Sequence, residues 1–217
     1  MAPAEGARVL RCGGSAALVE VADLVQVLRL YEALLAERPP GVRELVPAAR
    51  TVLVAYDAGE TGFDDLTQAI IERWQAAAER APEPDHGADV VEVPVHYDGP
   101  DLAQVAQLTG LDEAEVVRRH TGGDYRSGFC GFAPGFAYLT GLDPALHVPR
   151  RDDPRTRVPA GSVALADEFT AVYPRDSPGG WQLVGHSDIV LWDVERDPPA
   201  LLAPGTPVRF VDAGSGS

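Results

Sequence analysis

Val158–Val184 reads VPAGSVALADEFTAVYPRDSPGGWQLV. Three short apolar runs, Val158–Leu165, Thr170–Tyr173 and Gln182–Val184, are separated by turn-forming Gly and Pro. The same texture continues outward in Gly128–Phe136, Ile189–Trp192 and Pro207–Val211. Short strands at regular spacing, punctuated by turn residues, predict an all-β barrel or sandwich. Pro178–Gly179 fits the two central positions of a type II turn.

Toward the N-terminus the period changes. Arg8–Cys12 and Ala16–Val21 flank Gly13–Gly14–Ser15 as a hairpin. Leu24, Val27, Leu28, Tyr31, Leu34 and Leu35 recur at helical spacing and predict an amphipathic helix over 22–37, ended by Pro39–Pro40–Gly41. Val42–Val46 and Thr51–Asp57 read as strands. Leu66, Ile70, Trp74 and Ala77 place a second apolar stripe on a helix over 63–80. Ala81–Asp89 is a polar, Pro-rich connector, and Val90–Val95 is a strand. This order suggests a ferredoxin-like split βαβ layer with two helices on one face. Pro100–Asp101 opens a short helix, and Asp112 with Glu115 fits a capping box for a second one carrying His120. The fold class is therefore α+β, with an α/β domain over 1–89 and a β-rich domain over 90–217.

Composition excludes more than it suggests. The 217 residues contain no Lys and no Asn, and all 18 cationic side chains are Arg. A Walker A lysine, a Schiff-base lysine, a biotinyl-lysine and a Ser–Lys nucleophile pair are all ruled out. The net charge of −15 argues against a nucleic-acid partner. The longest apolar runs are far short of a membrane span, and Met1–Leu10 has no secretory pattern, so a cytoplasmic location is expected. Cys12 and Cys130 read as a pair of reduced, semi-buried thiols.

His86, His96, His120, His147 and His186 show no metal-ligand spacing, so no metal is expected. His120 and His186 are the local acid–base candidates, with His86 and His96 assigned no chemistry. Four arginines, Arg150, Arg151, Arg155 and Arg157, fall within eight residues of an acidic chain. Arg150, Arg155 and Arg157 are candidates for a carboxylate or phosphate, the alternative being a solvated loop paired with Asp152 and Asp153. Pro134, Gly135 and Phe136 suit a tight turn beside a ring-lined pocket. Ser162 follows Gly161, and Ser177 precedes Gly179, Gly180 and Trp181, but neither serine sits in a nucleophile elbow. Backbone N–H groups near Gly135, Gly161, Gly179 and Gly180 are candidate oxyanion donors.

A longer series then becomes legible: Phe132–Leu139 (FAPGFAYL), Pro149–Arg150, Pro154–Arg155, Val158–Val163, Tyr173–Pro174, Ser177–Trp181 and Gly185–His186. It resembles the carboxyltransferase-domain family, which includes the B subunit of bacterial 5-oxoprolinase and the kinase inhibitor KipI, and is often labelled allophanate hydrolase subunit 1. Gly14–Glu20, Leu45–Pro47, Leu53–Asp57, Val93–Val95, Pro100–Leu102 and His120–Tyr125 extend the likeness over residues 8–211. The resemblance implies a cyclophilin-like β-barrel as the second domain. It also implies partnership with a homologous carboxyltransferase-domain C subunit, together with an A subunit, in the ATP-dependent opening of 5-oxo-L-proline to glutamate. ATP would be bound by the assembled complex, and biotin would not be attached to this chain. Alternatives within the family are a KipI-like histidine-kinase inhibitor and a carboxyltransferase-type subunit of a biotin-dependent urea or allophanate enzyme. Gly185–His186–Ser187 and Asp167–Thr170 depart from the family pattern, which leaves the substrate open.

Overall fold

A computed structural model describes residues 6–79 and 89–214. Residues 80–88, which hold His86 and all of the expected connector but Asp89, lie outside the described residues. The chain divides into two compact units between residues 86 and 87.

In the first unit β1 (Arg8–Cys12) and β2 (Ala16–Glu20) form the expected hairpin, with Gly13 in the left-handed region at the turn. Asp23 caps α1 (Leu24–Ala36) by accepting the Gln26 N–H, and Val27, Leu30 and Leu34 form its buried stripe. β3 (Val42–Pro47), β4 (Thr51–Tyr56) and α2 (Phe63–Glu79) follow. The sheet is wholly antiparallel in the order β1-β2-β4-β3. The split βαβ layer forms, but the strand after α2 does not complete it. β1 occupies that edge, because the hairpin pairs it with β2 over five residues. Leu30, Leu34, Val52, Val54, Leu66 and Ile70 pack in the core between helices and sheet.

The strand after α2, β5 (Val91–Val95), belongs to the second unit. α3 (Leu102–Thr109) and α4 (Glu113–Thr121) follow it, joined by Gly110 in the left-handed region. Then come β6 (Tyr125–Cys130), β7 (Ala137–Thr140), β8 (Arg155–Val158), β9 (Ser162–Ala166), β10 (Phe169–Val172), β11 (Ser177–Gly179), β12 (Gln182–His186) and β13 (Pro207–Asp212). Seven of the unit's strands form one sheet in the order β12-β9-β10-β7-β6-β13-β5, and β8 and β11 pair separately. A single antiparallel bridge between His96 and His186 joins the two ends of the large sheet into a nearly closed barrel.

β9 is buried on both faces. Val163 and Leu165 enter the main core with Val93, Val184 and Phe210, while Ala164 and Ala166 enter an aromatic cluster with Phe136, Tyr173 and Trp181. Period-2 alternation divides the two sets, and alanine leaves room for the rings.

Two local expectations need correction. Pro178–Gly179 is extended in β11 rather than a type II turn, which would require a positive φ at Gly179. Gly179 is needed because a Cβ there would lie 2.3 Å from the Tyr173 hydroxyl. Ile189–Trp192 forms one isolated bridge, Trp192 to Ala200, rather than a strand. At the C-terminal end Ala213 donates to the Val95 carbonyl, and the Gly214 carbonyl lies 2.8 Å from His96 Nδ1. Cys12 is exposed and Cys130 half-buried, both as free thiols.

Candidate active site

The barrel seam builds the site. His96 and His186 exchange both backbone hydrogen bonds, at 2.8 and 2.9 Å, and their rings stack 5.0 Å apart. Beyond the bridge the chain runs hard against β12. A Cβ on Gly99 would fall 2.3 Å from the Val184 carbonyl carbon, and one on Gly185 would fall 2.4 Å from the His96 oxygen. Only glycine permits both approaches. They set Asp98 beside His186, with Oδ1 2.8 Å from Nδ1. Both side chains are open to solvent.

His186 and Asp98 line two cavities. One, of about 410 Å³, also carries Arg155, Arg157, Ser162, Pro100 and Gly185. The other, of about 810 Å³, carries His96, Tyr97, Glu113, Arg118, Thr121 and Asp212. The smaller cleft unites four of the residues singled out in the sequence: His186, Arg155, Arg157 and Ser162. An acid–base pair beside two guanidinium groups suits proton transfer to or from an anionic small molecule.

Each clustered arginine has a carboxylate partner, and the partner is neither Asp152 nor Asp153. Asp101, 3% exposed, accepts Arg151 Nη1 at 3.0 Å and Arg155 Nη2 at 2.7 Å on Oδ1, and the Leu183 N–H at 2.7 Å on Oδ2. Arg157 spends Nε and Nη2 on Asp176. The Ala160 N–H, then Arg157, hold the Asp176 carboxyl below its ordinary range. Arg150 faces Asp167 at 3.6 Å and lies over the Trp181 ring. Arg155 is thus part of the buried framework as well as the cleft wall.

The remaining sequence candidates lie elsewhere. Phe136 and Trp181 are core residues of the aromatic cluster, buried by Tyr173 and Tyr138. Pro134 sits on an exposed turn, and Gly135 beside it is required because a Cβ would lie 2.8 Å from Trp192 Cβ. Ser177 Oγ bonds the Arg175 carbonyl, and the Gly180 carbonyl accepts the Arg151 N–H. The Gly161 N–H donates to Tyr173 and the Ser162 N–H to Pro159, so those two donors are already spent and form no oxyanion hole.

His120 is a core residue. Its ring is fully buried against Phe210. The Thr170 hydroxyl donates to the Ala164 carbonyl and so accepts from His120 Nε2–H at 2.9 Å. Nδ1 then accepts from the Tyr97 hydroxyl at 2.7 Å. Burial holds the imidazole neutral, its pKa drawn down from 6.5 to about 3, and pushes the Tyr97 phenol up. With no exposed ring atom, His120 serves the fold rather than a bound substrate.

Stability should track pH accordingly. A histidine that ionises less readily when folded contributes stability above pH 6.5 and loses it progressively as pH falls toward 3. Glu115, drawn down from 4.5 to about 2 by hydrogen bonds from Arg118 and Arg119, adds its loss only below its unfolded value. Wild-type Tm should therefore already decline between pH 6.5 and 4.5, and His120→Gln should flatten that part of the curve. A flat wild-type curve in this window would contradict the assignment.

Asp98 and Asp101 were not singled out as functional residues in the sequence. Asp101 was legible only as a helix opener, and its carboxylate makes no cap, having been drawn to arginines some fifty residues away. The one local signal for Asp98 was Gly99, whose need shows only against β12.

Among the described residues no helix is long and apolar enough to cross a membrane, and no three His, Cys, Asp or Glu side chains converge as a metal site. Residues 7–202 match the family described as carboxyltransferase domain, subdomain C and D. The B subunit of 5-oxoprolinase from Escherichia coli O157:H7 is 42% identical over 180 residues, covering 82% of this chain and 81% of that one. The B subunit of 5-oxoprolinase from Bacillus subtilis (strain 168) is 35% identical, covering 94% and 92%. The crystal structure of TTHA0988 superimposes with TM-score 0.77 at 36% identity over 94% of this chain; this chain spans only 40% of that one. The fold is also that of part of the Kluyveromyces lactis urea carboxylase, at TM-score 0.78 and 19% identity, covering 96% of this chain and 22% of the other. An α/β unit followed by a nearly closed barrel, matched over nearly its whole length, makes this chain a member of the carboxyltransferase-domain family, subdomains C and D.

Proposed function

We propose that this chain is one subunit of an ATP-dependent 5-oxoprolinase, a hydrolase that opens 5-oxo-L-proline to L-glutamate together with a homologous C subunit plus an A subunit. The observation that carries this is kinship: chains 42% and 35% identical over most of their length bear the name of the 5-oxoprolinase B subunit. The site supplies matching chemistry. A lactam carbonyl is a poor electrophile, and phosphorylation of its oxygen provides a leaving group that permits attack by water. His186, open to the cleft, takes a proton from that water and returns one to the ring nitrogen as the C–N bond breaks, and a second water then splits the resulting glutamyl phosphate into L-glutamate and inorganic phosphate. Arg157 and the cleft face of Arg155 attract the substrate carboxylate.

ATP itself fits this chain poorly. Lys is absent, and Arg155 and Arg157, already shared with Asp101 and Asp176, leave the cleft only their outer faces, enough for one substrate carboxylate and not for a triphosphate as well. The triphosphate is therefore assigned to one of the partner subunits.

The test is reconstitution. The three-subunit mixture should release glutamate and ADP from 5-oxo-L-proline and ATP, and omission of this chain should abolish turnover. The chain alone should show none. Full activity without it, or turnover by the isolated chain, would overturn the reading.

A further inference from the structure

The role of the acidic neighbour of His186 rests on the proposed function, in which His186 of this chain moves the proton during ring opening. We propose that Asp98 is the positioning residue for His186, fixing the neutral ring as the Nδ1–H tautomer so that Nε2 presents its lone pair to the cleft.

A carboxylate accepts hydrogen bonds and donates none, so the 2.8 Å contact between Asp98 Oδ1 and His186 Nδ1 places the proton on Nδ1. The second ring nitrogen of a neutral imidazole is then the base. Free imidazole side chains favour the opposite tautomer, with the proton on Nε2, so the arrangement selects against the intrinsic preference. Three further features hold the ring in place. The paired backbone bonds of the seam fix the Cα positions of His96 and His186. The His96 ring stacks on His186 at an interplanar angle of 24° and is itself anchored from Nδ1 to the Gly214 carbonyl. The missing Cβ of Gly99 lets the chain press against β12, so the backbone sets Asp98 in reach. Orientation of a catalytic imidazole by a carboxylate is the general device of hydrolytic dyads and triads.

The experiment has two arms. In the isolated chain labelled with ¹⁵N in histidine, the His186 ring at pH 8.5 should show a protonated Nδ1 and an unprotonated Nε2. Asp98→Ala should shift it toward the Nε2–H form, and Asp98→Glu should restore part of the wild-type signature. In the reconstituted complex, Asp98→Ala should lower kcat about tenfold to a hundredfold, with KM within about twofold and Tm unchanged. That loss is smaller than the roughly 10⁴-fold cost of misorienting a buried triad histidine, because this pair is open to water. A ring tautomer indifferent to Asp98→Ala would overturn the proposal, as would a fall in Tm that accounts for the lost activity. Should the wild-type complex fail to open 5-oxo-L-proline while the tautomer responds as described, the function reading fails and the positioning of His186 stands.

Discussion

Asp101→Ala will lower Tm of the barrel unit by about 10–15 °C, the largest stability effect of any single side chain in the site. The aspartate is buried and serves three partners at once, two guanidinium groups and the Leu183 N–H. Breaking a buried ionic network by removing one member costs about 3–5 kcal/mol, because the groups left behind have lost their counter-charge. For a unit of this size each kcal/mol corresponds to roughly 3 °C. Part of the cost is moderated because Arg151 and Arg155 retain some contact with water. Arg151→Ala and Arg155→Ala each leave Asp101 one guanidinium and should fall between wild type and Asp101→Ala. Asp101→Asn, which keeps an acceptor for Leu183, should lie there too. A shift below 3 °C for Asp101→Ala in thermal denaturation would show that the network contributes little.

His186→Ala should have the opposite profile. The ring is exposed and the seam is made by backbone atoms, so Tm should stay within about 2 °C. The kcat of the reconstituted complex should fall by about 10²- to 10⁴-fold, the usual range for a positioned acid–base group. KM should change little, because the side chain acts on the reacting proton rather than on the substrate carboxylate. His120→Gln is the control: it should lower Tm while leaving kcat per folded molecule close to wild type. If His186→Ala retains kcat within twofold, the acid–base function belongs to another residue or another subunit.

The histidines illustrate which parts of the molecule were legible in the sequence. α1 and α2 were readable because one face of each buries Val27, Leu34, Leu66 and Ile70 and helical spacing records that directly, although Leu30, not Leu28 or Leu35, completes the buried stripe of α1. β5 was readable as a strand from its apolar run, but nothing local states which sheet accepts it; the partner is β13, at the far end of the unit. His120 and His186 looked alike as candidates. One is buried by Phe210 and Thr170 and the other left open at the seam, through contacts that are non-local in both cases. The arginine loop announced itself by composition, whereas its partners Asp101, Asp167 and Asp176 were scattered along the chain. Motif density pointed to the aromatic turn around Phe136 and Trp181, and there the glycines and rings serve packing.

The parallel pairing of β5 with β13 also governs the order in which the protein can be made. Residues leave the ribosome from the N-terminus, at roughly 5–20 per second. The four strands of the first sheet have all emerged once Tyr56 is out, so that layer can assemble early from near neighbours. The barrel has no such option. Val91–Val95 finds its ladder only on Pro207–Asp212, and its other contact, the bridge at His96, awaits His186. Throughout synthesis of nearly the whole second unit, this apolar strand travels with both edges unpaired, a template for wrong pairing. Nascent chains stalled before residue 207 should therefore carry a protease-resistant first unit and an aggregation-prone second one.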